Sequence, residues 1–472
     1  MKKRKVIFVE PRGAHFNVYD KFMSIPLLGP IYLATIAEQN GYEVSVINEN
    51  ILGRKINSEE LKDADVLCLS CITATIDRGR EIANDYRKIR KKSGLEAKTL
   101  IGGIHASMLP EDVVSDFDQV VVGEAENIIS DILSGRNNEK IIYAEKPTQL
   151  DTLPFLNFKL IKGWEKMNIL SIMTSRGCPY DCNFCSVTKM FGKAYRNQSP
   201  ERVLDEILRY EKGKIFFSDD YFAADMKRTN KMLDMMISTG FSLPWSTQVR
   251  TEVTKKPRFV KKMKKAGCTT VYVGLESINP KALVEMNKKQ NVKDIERTIK
   301  VFHDKGIEVH GMFILGNDSD TKEVFERTSD FSIRSGLDYA QYSILTPLPG
   351  SRTYFQFEKD KRLLHKNWRF YDGLHVVFKP KNMTPDELQE GAIKCFRNFY
   401  SYSRAIKSAL KTTINAIVTP IKKAYKEAYF PSLTPALMRA AGKKIIDNWI
   451  EYNSEYLNFL RDLKYCKKRK AV

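Results

Sequence analysis

The stretch SRGCPYDCNFC (residues 175–185) contains three cysteines in the spacing C-x3-C-x2-C: Cys178, Cys182 and Cys185. Three thiolates on one short loop can hold three irons of a cubane [4Fe–4S] cluster. The fourth iron then lacks a protein ligand and is open to a substrate or cofactor, whereas an electron-transfer cluster takes four cysteines. A structural zinc site also needs four ligands, usually in two separated pairs. The spacing therefore favours an iron–sulphur cluster with one open iron.

The other five cysteines give no second metal pattern. Eight cysteines among 472 residues, without a recognisable signal peptide, argue against a disulfide framework. Cys68 and Cys71 form a C-x2-C, but they lie in or just after a predicted strand, and no second pair completes a zinc site. We expect both to be small buried side chains, and we expect the same of Cys268, Cys395 and Cys466.

The chain is strongly basic, with 77 Lys and Arg against 57 Asp and Glu and a net charge of +20. Residues 381–472 hold 18 basic and 8 acidic residues, so they carry +10 of that excess. Such a surface suits an anionic partner, namely a membrane surface, nucleic acid or phosphorylated substrate, although a solvated basic face explains the charge equally well. No run approaches the roughly 20 apolar residues of a membrane helix. We expect a cytoplasmic protein, with a peripheral position at the inner membrane face as an alternative.

Residues 1–150 alternate short apolar runs with amphipathic stretches. One predicted helix follows residues 26–30 and continues through residues 33–40, and a second covers residues 81–92. Five strands are predicted: Lys5–Glu10, 43–47, 65–70, Thr99–Gly102 and Gln119–Val122. Strands that alternate with helices predict an α/β domain, a Rossmann-like open parallel sheet with helices on both faces. Ligands of such sheets bind at the carboxyl ends of the strands.

A second domain is predicted over residues 169–380, after a linker over residues 151–168 that contains Pro and Lys. Amphipathic helices separate six predicted strands: 170–174, 214–218, Trp245–Val249, 270–275, 309–315 and 341–345. Six strand–helix units predict a partial (β/α)6 barrel, whose active site lies at the carboxyl ends of the strands. The cysteine loop begins at the end of the first of these strands.

Residues 381–472 are predicted to form a basic helical region. Thr384 and Glu387 make a capping box, with Pro385 in the first helical turn. An apolar stripe then recurs every three or four residues from Tyr402 to Ala428, and lysines lie mostly off it. A basic amphipathic helix can lie in a membrane interface, and its apolar stripe can equally dock against the barrel.

The cysteine triplet, with a phenylalanine directly before its third member, resembles the radical S-adenosylmethionine (SAM) superfamily. The resemblance implies that SAM chelates the open iron and is cleaved reductively to a 5'-deoxyadenosyl radical. Gln248, Arg250 and Glu276 match the family's contacts to the ribose or methionine of SAM. The family's Gly-Gly-Glu after the second strand is missing, and Ser218, with Asp219 as the alternative, is expected to take the methionine amino group.

Residues 5–135 resemble the cobalamin-binding domain that precedes many radical SAM cores. The matching pieces are PLLGP over residues 26–30 and the polar or glycine-rich ends of three strands. The lower-ligand motif D-x-H-x-x-G is absent; His15 follows the first strand, but without the Asp and the glycine. The cobalamin contacts implied by the resemblance are Ser70, Thr73, Gly102, Gly103, His105, Gly123 and Glu124.

This order of domains resembles class B radical SAM enzymes, and residues 346–350 and 368–378 resemble the branch that includes hopanoid C-methylases and related lipid-modifying enzymes. The implied function is cobalamin-dependent methylation of an unactivated carbon, with a lipid or another small molecule as substrate. The implied cofactors are a [4Fe–4S] cluster, SAM and cobalamin, and an external donor must supply electrons.

Three other functions remain open from the sequence. A radical SAM enzyme that couples, cyclises or rearranges carbon skeletons would not need the cobalamin-like domain. The basic charge also suits an RNA-modifying or RNA-binding protein, but no RNA module with interleaved aromatic residues is visible, so nucleic acid is not the favoured partner. A non-catalytic cluster protein is the third.

Overall fold

Two parallel six-stranded sheets form the centre of the computed structural model, which describes residues 3–13, 25–407, 409–410 and 434–469. His15 and most of the predicted apolar stripe beyond Leu410 lie outside the described residues. For residues 434–436 and 464–469, at the two ends of the last segment, the structure describes the backbone and not the side chains.

The first sheet has the strand order β2-β1-β3-β4-β5-β6, and every neighbouring pair is parallel. Its strands are β1 Lys5–Glu10, β2 Glu43–Asn48, β3 Val66–Ser70, β4 Thr99–Gly102, β5 Gln119–Val122 and β6 Ile141–Tyr143. Val6 and Phe8 of β1 belong to one hydrophobic core, and Ile7 and Val9 belong to the other. Both faces of the sheet are therefore covered, as a parallel sheet requires, and the predicted α/β domain is confirmed.

Six α-helices in the described part of this domain accompany the sheet: α1 Leu28–Gln39, α2 Glu49–Leu52, α3 Ile76–Lys92, α4 Ile104–Met108, α5 Pro110–Val113 and α6 Ile129–Ser134. The predicted linker packs onto the same domain, because Leu153, Leu156, Phe158 and Ile161 are buried in the core shared with Val6. Main-chain pairing of Val46 with Ile161 joins it to β2.

The second sheet has the order β14-β13-β12-β11-β10-β7 and is parallel throughout. Its strands are β7 Ile169–Ile172, β10 Lys214–Phe217, β11 Trp245–Val249, β12 Cys268–Glu276, β13 Glu308–Leu315 and β14 Tyr339–Ile344. A two-stranded antiparallel ribbon, β8 Ser175–Arg176 with β9 Arg196–Asn197, stands beside it. In the described residues β7 and β14 are the two edges of the sheet, which confirms the predicted partial barrel.

The barrel and the C-terminal region contain eleven further α-helices whose bounds lie in the described residues: α7 Val187–Phe191, α8 Pro200–Ile207, α9 Met226–Ser238, α10 Pro257–Lys265, α11 Pro280–Glu285, α12 Val292–His303, α13 Glu323–Arg334, α14 Arg352–Lys359, α15 Pro385–Phe399, α16 Thr434–Tyr452 and α17 Ser454–Arg469. The described residues 402–407 and 409–410 are also helical. The predicted capping box of Thr384 and Glu387 starts α15. No helix among the described residues combines the length and the apolar character needed to cross a bilayer.

Four of the cysteines outside the cluster motif are buried in the two hydrophobic cores, as predicted: Cys68, Cys71, Cys268 and Cys395. Burial raises the pKa of each of these thiols to about 12, which makes them unreactive as nucleophiles. The side chain of Cys466 is not among those described.

Candidate active site

The cysteine motif lies on a loop, residues 177–195, that joins the two strands of the β8–β9 ribbon beyond the carboxyl end of β7. We call it the cluster loop. Gly177, directly before Cys178, has φ +90, and a Cβ there would lie 2.7 Å from the carbonyl oxygen of Ala194. Glycine is needed at this position because it allows both the positive φ and the close approach of the two ends of the loop.

The donor set of the cluster loop fits an iron–sulphur cluster. Cys178, Cys182 and Cys185 are half-buried, and burial raises the pKa of Cys178 and takes that of Cys185 to about 12. A bound cation is therefore needed to hold Cys178 and Cys185 as thiolates. Among the described residues no three His, Cys, Asp or Glu side chains converge on a single metal ion. A cubane does not require that, because each cysteine binds a different iron.

The outer side of the cluster loop is fixed by the barrel. The Asn183 amide donates to the carbonyl of Met286 at 3.0 Å, and the Asn287 side chain donates to the carbonyl of Asp181 at 2.8 Å. Arg352, the first residue of α14, forms an ion pair with Asp181 and donates to the Asn183 side chain at 3.2 Å. These contacts set the conformation of the loop through protein groups alone.

Arg250, which follows β11, stacks on the cluster loop. Its guanidinium lies 3.6 Å from the ring centroid of Tyr180, and its Nη1 is 4.0 Å from the Sγ of Cys182. Glu252 forms an ion pair with it at 3.1 Å, and Nη2 donates to the carbonyl of Lys288 at 2.5 Å. Arg250 is 5% exposed, so this cation contributes a fixed positive charge beside the cysteines.

Glu276, at the end of β12, is buried and forms an ion pair with the buried Lys288. A Cβ at Gly274 would lie 2.8 Å from the Nζ of Lys288, so the glycine makes room for the pair. The backbone of Glu276 has φ +58, a conformation that costs free energy in a residue with a side chain. Lys288 was not predicted from the sequence, because no spacing rule links it to Glu276. Through Lys288, however, Glu276 is connected to Arg250.

The end of β10 carries three polar residues with different surroundings. The Ser218 hydroxyl donates to the carbonyl of Ile172 at 3.3 Å. Asp219 is fully buried and accepts hydrogen bonds from Thr174 and Ser175, so it anchors the chain that leads into the cluster loop. Burial and the charge of Asp219 raise the pKa of Asp220 to about 7.

Asp220 was not assigned a role from the sequence, although it directly follows Ser218 and Asp219, the two residues predicted for the methionine amino group of SAM. It lies close enough to Cys178 and Cys185 to raise their pKa values. The four residues predicted to bind SAM all lie at or just beyond the carboxyl ends of the adjacent strands β10, β11 and β12. They are Ser218, Gln248, Arg250 and Glu276. Their contacts to SAM remain a prediction.

Five of the residues predicted to contact cobalamin lie at the carboxyl edge of the first sheet: Ser70, Thr73, Gly102, Gly103 and Gly123. Gly103 has φ +91 and packs directly on the backbone of Cys71. At the first turn of α1, on the same edge, a Cβ on Gly29 would meet no described atom within 4 Å. The half-buried backbone of the three glycines and the space beside Gly29 suit a large flat ring.

His105, also predicted as a cobalamin contact, is fully buried at this edge. Its Nε2 lies 3.1 Å from the Oδ2 of Asp112, and its ring makes an edge contact with Trp368 at 5.3 Å between centroids. Burial opposes ionisation of Asp112, but hydrogen bonds from His105 and Arg80 hold the pKa of this carboxyl well below its usual range. Nε2 therefore carries a proton, and Nδ1 is buried without a partner among the described residues. An amide of a bound cofactor could satisfy this atom, so the edge fits cobalamin on a second count.

Glu124 is placed differently from the other predicted cobalamin contacts. Its carboxylate is 4% exposed and forms ion pairs with two arginines of the ribbon, Arg176 and Arg196. Glu126 forms a further ion pair with Arg176 at 2.6 Å. The side chain of Glu124 thus faces the barrel domain, and the carboxyl edge of the first sheet abuts the base of the cluster loop.

Comparison with known proteins agrees with both halves of this arrangement. Residues 172–331 match the model of the Radical SAM superfamily, and residues 24–133 match the B12 binding domain. An uncharacterized methyltransferase of Pyrococcus horikoshii is 31% identical over 412 residues, which cover 79% of this chain and 88% of that protein. Bacteriochlorophyllide d C-12(1)-methyltransferase of Chlorobaculum tepidum is 29% identical over 421 residues, or 86% and 89% of the two chains.

A more distant relative and a solved structure extend the likeness. Hopanoid C-2 methylase of Rhodopseudomonas palustris is 26% identical over 344 residues, covering 70% of this chain and 63% of that protein. The cobalamin-dependent S-adenosylmethionine radical enzyme OxsB, solved with aqua-cobalamin bound, superposes with a TM-score of 0.67 at 14% identity, over 96% of this chain and 81% of that chain. The protein belongs to the family of radical SAM enzymes that carry a cobalamin-binding domain, with [4Fe–4S], SAM and cobalamin as its cofactors.

Proposed function

We propose that the protein is a cobalamin-dependent radical SAM C-methyltransferase that acts on an unactivated carbon of a small molecule. The observation that carries the proposal is the contact between the two cofactor sites: Glu124, at the edge predicted to hold cobalamin, contacts Arg176, two residues before Cys178. When bound, the cluster and SAM supply hydrogen-atom abstraction and cobalamin supplies a methyl group. A methyl transfer needs both at one substrate carbon, which a shared junction allows.

The barrel residues would bind SAM beside the cluster. We assign the methionine amino group to Asp220, with Ser218 beside it, because a carboxylate close to the cysteines attracts an ammonium. Arg250 and Lys288 supply two buried cations near the same place for the carboxylate of SAM, and Glu276 and Gln248 supply acceptors for its hydroxyl groups. The protein groups bind and orient SAM, and the cofactors carry the radical chemistry.

An external one-electron donor would approach over the outer face of the cluster loop. Lys193 and Arg352 have side chains that are 72% and 57% exposed, and both form ion pairs with Asp181 of the loop. Asp181 directly precedes Cys182, so a donor protein that docks on these exposed cations would lie beside the cluster loop.

A test of methyl transfer uses SAM whose methyl group carries deuterium. We expect the anaerobically purified protein, with a chemical reductant and extracts of its source cells, to form a product that contains the intact deuterated methyl group. The Cys182→Ala variant is the control and should form none. A product without label, formed while SAM is consumed, would instead favour carbon–carbon coupling, cyclisation or rearrangement, and turnover without cobalamin would contradict the proposal.

We propose a lipid as the substrate class and an anionic membrane surface as a peripheral partner. Tyr402, Ile406 and Leu410 lie four residues apart on a helical segment and are 55%, 60% and 57% exposed, with the exposed Lys407 beside them. Apolar side chains flanked by lysines suit the interface of an anionic bilayer. They lie in the part of the chain whose net charge is +10.

Vesicle binding tests this surface. We expect the protein to sediment with vesicles that contain phosphatidylserine and not with neutral ones. Ile406→Asp should weaken that binding by at least about 10-fold, since removal of one buried aliphatic side chain costs about 1.5–3 kcal/mol. Val284→Asp is the matched control, because Val284 is an exposed aliphatic residue, 80% exposed, on α11 of the barrel and outside the row of Tyr402, Ile406 and Leu410. Equal loss in both variants, or binding to RNA that exceeds binding to vesicles, would contradict a membrane contact at Ile406.

A further inference from the structure

We propose that Glu124 positions the cluster loop relative to the cobalamin site by holding Arg176 and Arg196 together. The inference rests on the proposed function, because it concerns the geometry between the two cofactors of that reaction. Glu124 acts through the arginines and is a positioning residue. It would thereby set the separation between the cluster and the cobalt.

The cluster loop begins directly after β8 and ends directly before β9, so the ribbon holds both of its ends. Arg176 of β8 lies directly opposite Arg196 of β9 in the antiparallel register. The residues between them carry all three cysteines of the motif. Whatever fixes these two arginines therefore fixes both ends of the loop.

One carboxylate holds both arginines. Oε1 of Glu124 accepts from the Nη2 of Arg196 at 2.5 Å, and Oε2 accepts from the Nη1 of Arg196 at 3.1 Å and from the Nη1 of Arg176. In the described residues Glu126 contacts Arg176 but not Arg196, and the carbonyl of Pro147 accepts from Arg196 at 2.6 Å. Glu124 is thus the side chain that contacts both strands of the ribbon at once.

Charge makes this junction sensitive to Glu124. Arg176 is 2% exposed, and its guanidinium lies against the carboxylates of Glu124 and Glu126, the latter at 2.6 Å. Two guanidinium groups on directly paired residues repel each other in a desolvated site unless an anion lies between them. Without the charge of Glu124, the two ends of the loop are expected to separate.

The position of Glu124 connects this junction to the cobalamin edge. It follows β5 after Gly123, whose φ is +98 and whose amide donates to the Ser107 hydroxyl at 3.0 Å. Ser107 belongs to α4, which begins directly after Gly103. The glycine-rich edge predicted to bind cobalamin and the base of the cluster loop therefore meet at one side chain.

The test is the magnetic coupling between the reduced cluster and cob(II)alamin, measured by pulsed electron paramagnetic resonance on the anaerobic full-length protein loaded with both. Glu124→Gln keeps the shape of the side chain and removes its charge. We expect one narrow distance distribution in the wild type and a broadened, shifted one in Glu124→Gln, with iron and cobalt contents unchanged. Glu60→Gln, which neutralises an exposed ion pair with Arg54 in the same domain, should match the wild type.

The milder variant Arg196→Lys keeps the positive charge and loses the two-point contact with Glu124. We expect Arg196→Lys to broaden the distribution of cluster–cobalt distances less than Glu124→Gln does. This variant tests the positioning role if Glu124→Gln loses a cofactor and cannot be measured. A wild-type distribution in Arg196→Lys, or in a fully loaded Glu124→Gln, would overturn the positioning role. A wild-type protein that takes up no cobalamin would overturn the proposed function instead, so the two failures are distinct.

Discussion

Replacement of Cys182 by alanine is expected to abolish the iron–sulphur cluster and, with it, all reductive cleavage of SAM. A cubane that is open at one iron has three protein thiolates, and loss of one leaves two irons without protein ligands. The Cys182 sulphur is also the one that Arg250 approaches, at 4.0 Å. We expect the purified variant to lack the brown colour and the broad visible absorption of the wild type, and to contain little iron.

The matched control is Cys268→Ala. Cys268 is fully buried at the start of β12, and its thiol makes only a weak contact of 3.8 Å to the carbonyl of Thr270. Its loss should leave the iron content and the visible spectrum unchanged, at a cost in stability of about 1 kcal/mol for a small cavity. A Cys182→Ala protein with the full complement of iron would show that the ligands lie elsewhere.

The strands of both sheets were predictable because each is a short apolar run bounded by turn residues, and burial on both faces leaves few alternatives. The strand β6, Ile141–Tyr143, was not predicted. Its three residues, Ile141, Ile142 and Tyr143, are apolar, but the run is shorter than the roughly four to eight residues by which a strand is recognised, and it forms the edge of the sheet. Edge strands of this kind are recognisable only once their neighbour is in place.

The helix α3 begins five residues before its predicted start, and both α1 and α3 contain in the first turn a residue that usually ends helices. The helix α1 starts at Leu28 although Pro30 follows, because the first turn of a helix does not need the missing N–H. The helix α3 starts at Ile76 and contains Gly79. A Cβ at Gly79 would lie 2.6 Å from the sulphur of Cys71, so tertiary packing selects the glycine against helix propensity.

The candidate site was only partly predictable, and the reason is the distance along the chain. The cysteine triplet is local, so spacing alone identifies it. Lys288 contacts Glu276 from beyond the far end of α11, 12 positions along the chain, and Glu124 contacts Arg176 over 52 positions, with no periodic signal for either pair. Glycine-rich strand ends indicate where a cofactor lies, but they do not indicate which neighbouring carboxylate faces the partner domain.

Gly103→Ala is expected to be the most destabilising single methyl addition on the cobalamin edge. Gly103 has φ +91 and ψ −177, a region in which side-chain-bearing residues are strained by about 1–3 kcal/mol. Its added Cβ would lie 2.6 Å and 2.8 Å from the carbonyl oxygen and the nitrogen of Cys71. These are backbone atoms at the end of β3 and cannot rotate away, so the clash adds about 1–3 kcal/mol by displacing the strand.

Gly135→Ala separates the two contributions. Gly135 ends α6 with φ +81, and a Cβ there would meet no atom within 4 Å, so it carries the cost of the positive φ, about 1–2 kcal/mol, without the clash. Urea unfolding of the first domain, followed by circular dichroism, should therefore show a clearly lower midpoint for Gly103→Ala than for Gly135→Ala. Cobalamin uptake should decrease in Gly103→Ala and stay unchanged in Gly135→Ala, because only the methyl group at position 103 displaces the strand ends at the predicted cofactor edge. Equal midpoints would mean that the β3–β4 edge can open enough to admit a methyl group, and the packing argument for Gly103 would then be wrong.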